Sequence, residues 1–398
     1  MMRIAINGTG VAGPTLAWWL KRYGHESVLF ERAPALRTGG YMIDFWGVGY
    51  QIAEKMGIIP ALQKKGYLIE SLRLVDRAGQ PVATMSTAEM RTLVDERFIS
   101  IARSDIAATL YHACDGVETR FGTHITGIDQ QADGVIAHLS NGAKEQFDLV
   151  VGADGLHSQI RGLLVGPEAE VEHSLGVEVA ACTVAGYQPR DELTYIGHRA
   201  PQRMVSRVSL RDDKTLFLFT FRSTLIDKQP TNSAEAKALL RNVYGDTGWE
   251  APFILQRLDD TDDFYFDHVS QIYLDHWCKG RVALVGDAAA CASLLAGEGT
   301  GLAMLEAYVL AGELHRAGGD YSVAFRQYEA RLQPFLRKKQ ESALTMVAFF
   351  APKNWQQMTL ARLAVQATAL PYLSKFLIGR ILQDDIELPE YVASGNGH

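Results

Sequence analysis

The chain has 398 residues, 47% hydrophobic and 21% charged, so it falls in the ordinary globular class and is long enough for two or more domains. Its net charge of -7 gives no broad basic surface, which argues against nucleic acid as a partner. The 4 cysteines are scattered, no apolar run of roughly eighteen residues lacks charges, and a strand pattern begins at Arg3. We therefore expect a cytoplasmic protein with no secretion signal and no membrane span.

The first predicted elements are a strand, a glycine turn and a helix. Arg3–Asn7 has the pattern of a buried strand, and a helical pattern follows the turn. The turn consists of Gly8, Thr9, Gly10, Val11, Ala12 and Gly13. Gly8 suits the tight turn, Gly10 allows a pyrophosphate to approach the backbone, and Gly13 allows the helix to pack closely on the strand. We expect the free N–H groups at the helix start, around Val11 and Ala12, to bind a diphosphate.

The second predicted strand, Ser27–Glu31, ends in an acidic residue about twenty residues after the first glycine. In a dinucleotide-binding unit a carboxylate at this place accepts hydrogen bonds from the adenosine ribose. A solvated strand end is the alternative interpretation of Glu31. The glycine motif alone leaves both NAD and FAD open.

Between residues 41 and 151 the sequence predicts short strands and helices. After a loop, Tyr41–Phe45 is extended and Gly47–Met56 is helical, and a hairpin follows with strands at Tyr67–Val75 and Pro81–Met85. A helix starts within Ser100–Leu110, with Ser104 as its N-cap. Three further strands lie around residues 119–121, 134–139 and 146–151.

The pattern changes between residues 176 and 260. Thr215–Phe221 alternates with period two, and Val177–Val184 and Met204–Leu210 are also strand-like. This predicts an antiparallel sheet with three phenylalanines on one face, which either pack a core or line a substrate cavity. The phenylalanines are Phe217, Phe219 and Phe221.

The last part of the chain repeats the pattern of a strand, a glycine-rich turn and a helix that is predicted at the N-terminus, and then becomes helical. Gly280–Asp287 is a strand that ends in Gly-Asp, and the segment Gly297–Thr300 opens a helix that runs to Leu314. Helical patterns continue from Ser322 to Gly379 with breaks at prolines.

Three signatures in this order resemble those of the FAD-dependent aromatic hydroxylases of the p-hydroxybenzoate hydroxylase type. They are the glycine turn, the Asp154-Gly155 turn within the stretch Asp148–Arg161, and Gly286-Asp287 with its glycine-rich sequel. The resemblance covers roughly the first 320 residues. Within that family, the segment Arg37–Gly40 and the C-terminal helices look most like the tetracycline-inactivating monooxygenases.

The resemblance implies an α/β fold with a Rossmann-like FAD-binding domain, an antiparallel-sheet substrate domain and C-terminal helices. It places residues 1–72, 96–172 and 266–320 in a discontinuous FAD-binding domain. Residues 73–95 and 173–265 would form the substrate domain, and residues 321–398 the helical region.

The resemblance also implies roles for individual residues around FAD. Glu31 would hold the ribose, Arg32 would lie over the adenine, and Arg103 would reach the diphosphate and ribityl region. Asp287 would accept a ribityl hydroxyl. Asp154 resembles an acid shared between FAD and the nicotinamide nucleotide, although a carboxylate that caps the adjacent turn is nearly as good an interpretation.

The helix start at the later glycine-rich segment, with Gly297, Gly299 and Thr300, is expected to stabilise reduced flavin. Reduction places negative charge near N1 and the C2 oxygen, and a helix N-terminus aimed there lowers its energy. Backbone N–H groups supply this effect, so the side chains can be small.

In this family NADH or NADPH docks briefly and reduces the flavin, after which O2 forms a flavin hydroperoxide that oxygenates the substrate. The resemblance therefore implies monooxygenation of an aromatic or polycyclic molecule, such as a tetracycline-like polyketide. Ala290 and Leu294 stand where many members have His and Pro, which puts the geometry of oxygen transfer in doubt. A flavin-dependent reductase or oxidase without oxygen insertion stays open, as does a non-catalytic flavin-binding protein.

Candidate substrate-binding residues follow from their positions in the matching segments. They are Tyr41, Asp44, Trp46, Met204, Arg207 and Phe219. No metal-ligand spacing is found, so we predict no metal. Several histidines are present, but no acid–base pair can be assigned to catalysis from the sequence.

Overall fold

The computed structural model describes residues 1–37, 39–261, 263–367 and 385–391. Thr38 of the predicted segment Arg37–Gly40 lies outside this set, as do parts of the predicted C-terminal helical region. Among the described residues, no helix combines the length and the apolar character needed to cross a membrane.

Strands and helices alternate through the first half, and the middle of the chain is mainly strand. The described strands are β1 (Arg3–Asn7), β2 (Glu26–Glu31), β3 (Met42–Phe45), β4 (Ser71–Val75), β5 (Pro81–Ser86), β6 (Ile99–Ala102), β7 (Glu118–Phe121), β8 (Ile125–Gln130), β9 (Val135–Leu139), β10 (Lys144–Phe147), β11 (Leu149–Gly152), β12 (Glu172–Ala185), β13 (Thr194–Ala200), β14 (Arg203–Ser209), β15 (Lys214–Arg222), β16 (Phe264–Ile272), β17 (Cys278–Lys279) and β18 (Val282–Leu284). The described helices are α1 (Ala12–Arg22), α2 (Gly47–Met56), α3 (Ile59–Lys65), α4 (Ala88–Leu93), α5 (Arg103–Ala113), α6 (Gln159–Val165), α7 (Ser233–Tyr244), α8 (Ala251–Gln256), α9 (Asp287–Ala290), α10 (Gly299–Arg316), α11 (Tyr321–Phe350) and α12 (Trp355–Ala367).

The first sheet has six strands in the order β17-β18-β11-β1-β2-β7. All neighbouring pairs are parallel except β17 with β18 at one edge. The central strands β1 and β11 are buried along nearly their whole length, as expected where helices cover both faces of a parallel sheet. This sheet and its helices confirm the predicted Rossmann-like α/β fold.

The second sheet has seven strands in the order β16-β12-β15-β14-β13-β4-β5. Its pairs are antiparallel apart from β13 with β4. One face packs on α7 and α8 through a buried cluster of apolar side chains. The opposite face looks toward α11 and the segment that precedes α10. We call these the back face and the front face.

Helix α10 is the centre of the helical layer. It contacts α1, α2 and α11, and nearly all of its residues are buried. The segment of residues 385–391 lies on it, and a Cβ added at Gly312 would come within 2.2 Å of the Tyr391 ring. The Tyr391 hydroxyl donates a hydrogen bond of 2.6 Å to Glu313. The helix that carries the later glycine motif is therefore held on several sides.

Some predicted boundaries are wrong. Ser100 to Ala102 belong to strand β6, and α5 begins at Arg103 with Ala102 as N-cap, so Ser104 lies within the first turn. The predicted strand at residues 146–151 is two strands, β10 and β11, and β8 was missed. Residues 266–272 belong to β16 of the seven-stranded sheet, although the predicted division places them with the FAD-binding domain.

Candidate functional site

The glycine turn between β1 and α1 has the geometry that its sequence predicts. Gly8 has a φ of +116°, a conformation that side chains rarely adopt, and an added Cβ would lie 2.3 Å from the Ala153 carbonyl oxygen. A Cβ at Gly13 would lie 2.0 Å from the Gly8 carbonyl oxygen, so the helix sits directly on the turn. A Cβ at Gly10 would meet nothing within 4 Å. The backbone at Gly10 therefore faces open space, as a cradle for a pyrophosphate requires.

Glu31 at the end of β2 fixes the shape of this turn. Its carboxylate accepts hydrogen bonds from the Thr9 N–H at 3.0 Å, the Thr9 hydroxyl at 2.8 Å and the Ala33 N–H at 2.9 Å. Burial raises the pKa of Glu31, but these bonds outweigh burial and hold the pKa below its usual value. An ionised carboxylate has about four acceptor positions, so one stays available for a ribose hydroxyl. The predicted role of Arg32, which is exposed, stays a prediction.

Asp287 follows β18 of the six-stranded sheet, and Tyr41 contacts Tyr265 on β16 of the seven-stranded sheet, so we call the region between them the cleft. Tyr41, Arg103 and Asp287 interact electrostatically there, and each keeps some exposed surface. Burial raises the pKa of Asp287, and Arg103 opposes that rise. Burial also raises the pKa of Tyr41 to about 12. Groups that are deep in the protein yet still accessible must face an internal space, and these three offer both donors and acceptors to it.

The start of α10 forms one wall of this cleft. Gly297 is left-handed, with a φ of +71°, and a Cβ added at Gly299 would lie 3.7 Å from an Asp287 carboxylate oxygen. Thr300 is buried in the first turn. The Glu298 carboxylate pairs with Lys339 of α11 at 3.0 Å, and Lys339 is only 8% exposed. The helix start predicted to face reduced flavin is therefore beside Asp287 and tied to α11.

The loop before α10 is strained and is held by buried amides. Ser293 has a φ of +135°, although it is not glycine, and its hydroxyl accepts a hydrogen bond from the Leu295 N–H at 3.1 Å. Gln271 donates to the Ala292 carbonyl at 2.6 Å. Gln340 donates to the Cys291 carbonyl at 3.2 Å. Strand β16 and helix α11 together hold the loop in which Leu294 replaces the proline common in the family.

Asp154 caps the turn that follows β11. Its carboxylate accepts hydrogen bonds from the Asn7 amide at 3.0 Å, the Ser158 hydroxyl at 2.5 Å, the Gln159 N–H at 2.9 Å and the Ile160 N–H at 3.2 Å. Three of these donors are on Oδ2 and one is on Oδ1, so Oδ1 keeps an acceptor position. The capping interpretation of Asp154 fits the geometry, and its predicted contact with the cofactor stays a prediction.

Two of the predicted substrate-binding residues lie on the back face of the seven-stranded sheet, away from the cleft. The Phe219 ring is fully buried and contacts the Tyr244 ring of α7, with 5.2 Å between centroids. Arg207 is buried and pairs with Glu250 at 2.6 Å and Asp191 at 2.8 Å. Because alternate residues of a strand point to opposite faces, both side chains turn away from the cleft. We correct the prediction and remove Arg207 and Phe219 from the candidate set.

The other candidates lie beside the start of α10 or on the front face of the seven-stranded sheet. Asp44, Trp46, Gly297 and Glu298 line one small cavity of about 20 Å³. Asp44 accepts a hydrogen bond of 2.5 Å from the Ser100 hydroxyl, and burial raises the pKa of Asp44. Met204 is on the front face of the sheet, in a cluster with Phe349 and Phe350 of α11. The roles of these residues and of Tyr41 in substrate binding stay predictions.

Front-face residues that the sequence analysis missed complete the cleft. Tyr195 of β13 interacts electrostatically with Asp44, and the Tyr265 ring of β16 lies 5.7 Å from the Tyr41 ring. Tyr265 donates a hydrogen bond of 3.2 Å to Asp267. The period-two pattern indicates that a strand has two faces, but it does not show which of them meets the cofactor domain.

His157 joins the turn after β11 to strand β16. Its ring nitrogens lie 2.8 Å from Glu168 and 3.2 Å from Asp267, and the Asp267 carboxylate also faces His268 at 3.3 Å. The hydrogen bond to Asp267 raises the pKa of His157 to about 9, against the opposing effect of burial and with further help from Glu168. The cationic form of His157 therefore connects the two sheets at neutral pH.

We expect His157→Gln to destabilise the protein in a pH-dependent way. Because the pKa of His157 is raised in the folded state, its interactions with Asp267 and Glu168 stabilise that state fully below about pH 6.5, the pKa of an unfolded His. This contribution is lost as the pH rises toward 9. Because the side chain is 50% exposed, the effect should be at most about 1 kcal/mol. Thermal unfolding of both proteins at pH 6 and pH 10 measures it. If the unfolding temperatures of the two proteins differ by the same amount at both pH values, the ionic role of His157 is contradicted.

These parts together fit a dinucleotide with a flavin ring. The open backbone at Gly10 suits a pyrophosphate, the spare acceptor of Glu31 suits a ribose, and Asp287 with Arg103 suits a polyhydroxylated chain. The α10 N-terminus lies beside Asp287, where a ring attached to that chain would end. The fold and the site thus define a flavoprotein.

Comparison with known proteins agrees with this class. Residues 1–320 match the model of the FAD binding domain family, and the chain belongs to this family. A flavin-dependent monooxygenase from an unknown prokaryotic organism is 35% identical over 353 residues, covering 89% of this chain and 91% of the relative. A flavin-dependent monooxygenase of Legionella longbeachae is 34% identical over 354 residues, with 89% and 90% coverage.

A solved structure extends the similarity to the whole fold. The tetracycline destructase Tet(51) has 31% sequence identity and a TM-score of 0.83, and the match covers 98% of this chain and 99% of that chain. The predicted family is confirmed: the chain is a flavin-dependent monooxygenase of the aromatic hydroxylase type with FAD as its cofactor.

Proposed function

We propose that this enzyme uses NADPH or NADH and O2 to oxygenate a polycyclic aromatic molecule of the tetracycline-like polyketide class. The observation that carries this proposal is the cleft of Tyr41, Asp44 and Trp46 beside the start of α10, closed on its other side by the front face of the seven-stranded sheet. The likeness to a tetracycline destructase over the whole chain supports the substrate class. A cytoplasmic location is part of the same proposal.

The chain's own residues would position the reactants. When bound, FAD supplies the two-electron chemistry and the activation of O2. Glu31, Asp287 and Arg103 would hold FAD, and the N–H groups at Gly299 and Thr300 would stabilise negative charge on its ring. The apolar front face, with Leu216 and Leu218, would exclude water from the reacting groups.

The test is a turnover assay with the FAD-loaded protein. We expect NADPH or NADH to bleach the flavin, faster in the presence of a tetracycline, and oxygenated product to form in proportion to the cofactor consumed. Hydrogen peroxide in place of product would favour the oxidase without oxygen insertion, the alternative that Leu294 in place of the common proline keeps open. A flavin that neither nucleotide reduces would contradict both enzyme functions.

We expect Asp287→Ala to weaken FAD binding by about ten- to a hundredfold. The lost hydrogen bonds to a charged group are worth about 1.5–3 kcal/mol, and each 1.4 kcal/mol is about tenfold in affinity. Asp287→Asn is the matched control, because it keeps the size and one acceptor oxygen, and it should lose less. Fluorescence titration of the apoproteins with FAD measures both, and wild-type affinity in the alanine variant would contradict the role.

A further inference from the structure

Arg199 on strand β13 is a buried cation whose guanidinium forms no hydrogen bond with the part of the chain that the structure describes. The residue is 8% exposed, and its Nε, Nη1 and Nη2 atoms are all buried without a hydrogen-bond partner among the described residues. Its guanidinium carbon lies 3.7 Å from the centre of the Phe349 ring, which covers one side. Burial lowers the pKa of Arg199 to about 10, which still leaves the group charged at neutral pH.

A second arginine of the same sheet shows how the protein usually treats such a group. Arg207 is buried to a similar degree, yet it has carboxylate partners in Glu250 and Asp191. Burying a charged group without a partner is unfavourable, and proteins generally pair it. A cation–π contact with Phe349 satisfies none of the N–H donors of Arg199. The donors are therefore free for a group that is not part of the protein.

The position of Arg199 places it on the cleft side of the sheet. It pairs with Met204 across the strand, and its side chain shares a face with Tyr195, because the two are four residues apart. Tyr195 interacts with Asp44 beside the α10 segment, and Phe349 belongs to the end of α11 that covers this face. Four residues of a strand span about 13 Å, so Arg199 lies about 13 Å along β13 from Tyr195, the residue next to Asp44.

We propose that Arg199 determines specificity by binding an anionic group, a carboxylate or an acidic enolate, at the far end of the polycyclic substrate. This inference rests on the proposed function and deepens it: the substrate is an acidic polycycle rather than a neutral one. The planar guanidinium can donate two parallel hydrogen bonds to such a group. Contact with Arg199 would align the long axis of the ligand along β13, with the opposite end near Asp44 and the α10 N-terminus.

The test compares an acid with its neutral analogue on the FAD-loaded protein. Calorimetry with anthraquinone-2-carboxylate and anthraquinone-2-carboxamide gives the affinity of each for wild type, Arg199→Met and Arg199→Lys. We expect wild type to bind the acid at least tenfold more tightly than the amide. Arg199→Met should lose this preference while its amide affinity stays within twofold, and Arg199→Lys should keep part of the preference.

A stability measurement separates this role from a structural one without any ligand. If Arg199 is held for an external anion, Arg199→Met should unfold at the same urea concentration as wild type or at a higher one. Arg207→Met is the matched control and should unfold at a clearly lower concentration, because it leaves Glu250 and Asp191 without their partner.

The inference is overturned if wild type does not prefer the acid, which includes binding of neither probe, or if Arg199→Met keeps the preference. Destabilisation of Arg199→Met to the level of Arg207→Met would also overturn it, since Arg199 would then be a structural cation. The binding comparison needs no turnover. A protein that prefers the acid but whose flavin is not reduced by NADPH or NADH would refute the proposed function alone, and the reverse result would refute the inference alone.

Discussion

We expect Gly10→Ala to fold normally and to lose most of its affinity for FAD, whereas Gly13→Ala should fold poorly. The methyl group at Gly10 meets no protein atom within 4 Å, so the apoprotein should be within about 0.5 kcal/mol of wild type. That methyl group would occupy the space in which a pyrophosphate approaches the backbone. Losing two charge-assisted hydrogen bonds, each worth at least about 1.5 kcal/mol, corresponds to about a hundredfold loss of affinity.

Gly13→Ala places a methyl group 2.0 Å from the Gly8 carbonyl oxygen. The new Cβ is fixed to the helix backbone and the Gly8 oxygen to the turn backbone, so neither atom can rotate away. Separating α1 from the turn should cost about 3 kcal/mol or more. Thermal unfolding of the apoproteins and fluorescence titration with FAD distinguish the two variants. If Gly10→Ala binds FAD as tightly as wild type, the pyrophosphate does not lie on this turn.

The second large effect is expected for Arg161→Met. Arg161 is fully buried and connects three segments around the cofactor site: it donates to the Leu156 carbonyl at 2.5 Å, to Glu168 at 2.8 Å and to the Ala288 carbonyl at 3.4 Å. Ala288 follows Asp287 directly. Glu168 is 32% exposed and can be hydrated, but the buried Ala288 carbonyl would lose its donor, so the change should cost about 1–3 kcal/mol.

Arg241→Met is the matched control for this variant. Arg241 is also on a helix and pairs with Asp259 at 2.7 Å, but its side chain is 40% exposed. Arginine and methionine have similar helix propensities, so the comparison isolates the buried interactions. Urea unfolding should show a large shift of the midpoint for Arg161→Met and a change of at most about 1 kcal/mol for the control. Equal shifts would show that Arg161 does not join these segments.

The sequence alone predicts those parts of the site in which the backbone geometry allows only one type of residue. Gly8 and Gly13 are needed because a side chain there would meet a carbonyl oxygen, and the Gly286-Asp287 pair follows a short buried strand of the parallel sheet. Such requirements are local, so a spacing pattern reveals them. The fold class and the cofactor were predictable from these segments.

Other features depend on contacts between distant segments, which a spacing pattern does not contain. Phe219 and Arg207 were expected in the cleft, but the strand alternation alone could not show that α7 and α8 cover their face. The engagement of Asp154 depends on Asn7 from β1, and the support of the α10 loop depends on Lys339 and Gln340 from α11. Arg199 stands out only because, in the folded structure, its N–H groups have no hydrogen-bond partner among residues 1–37, 39–261, 263–367 and 385–391.

On β14 and β15 the back face packs on α7 and α8, whereas the front face lies toward the cleft. This difference affects how the enzyme could acquire new substrates. Phe217, Phe219 and Phe221 alternate with residues such as Leu218 on the same strand, so the odd positions build the back-face core and the even positions face the proposed substrate. Evolution, or a designed library, can vary the even positions while the odd ones keep the scaffold intact. The residues that face a ligand and the residues that hold the strand in the core can therefore be substituted separately.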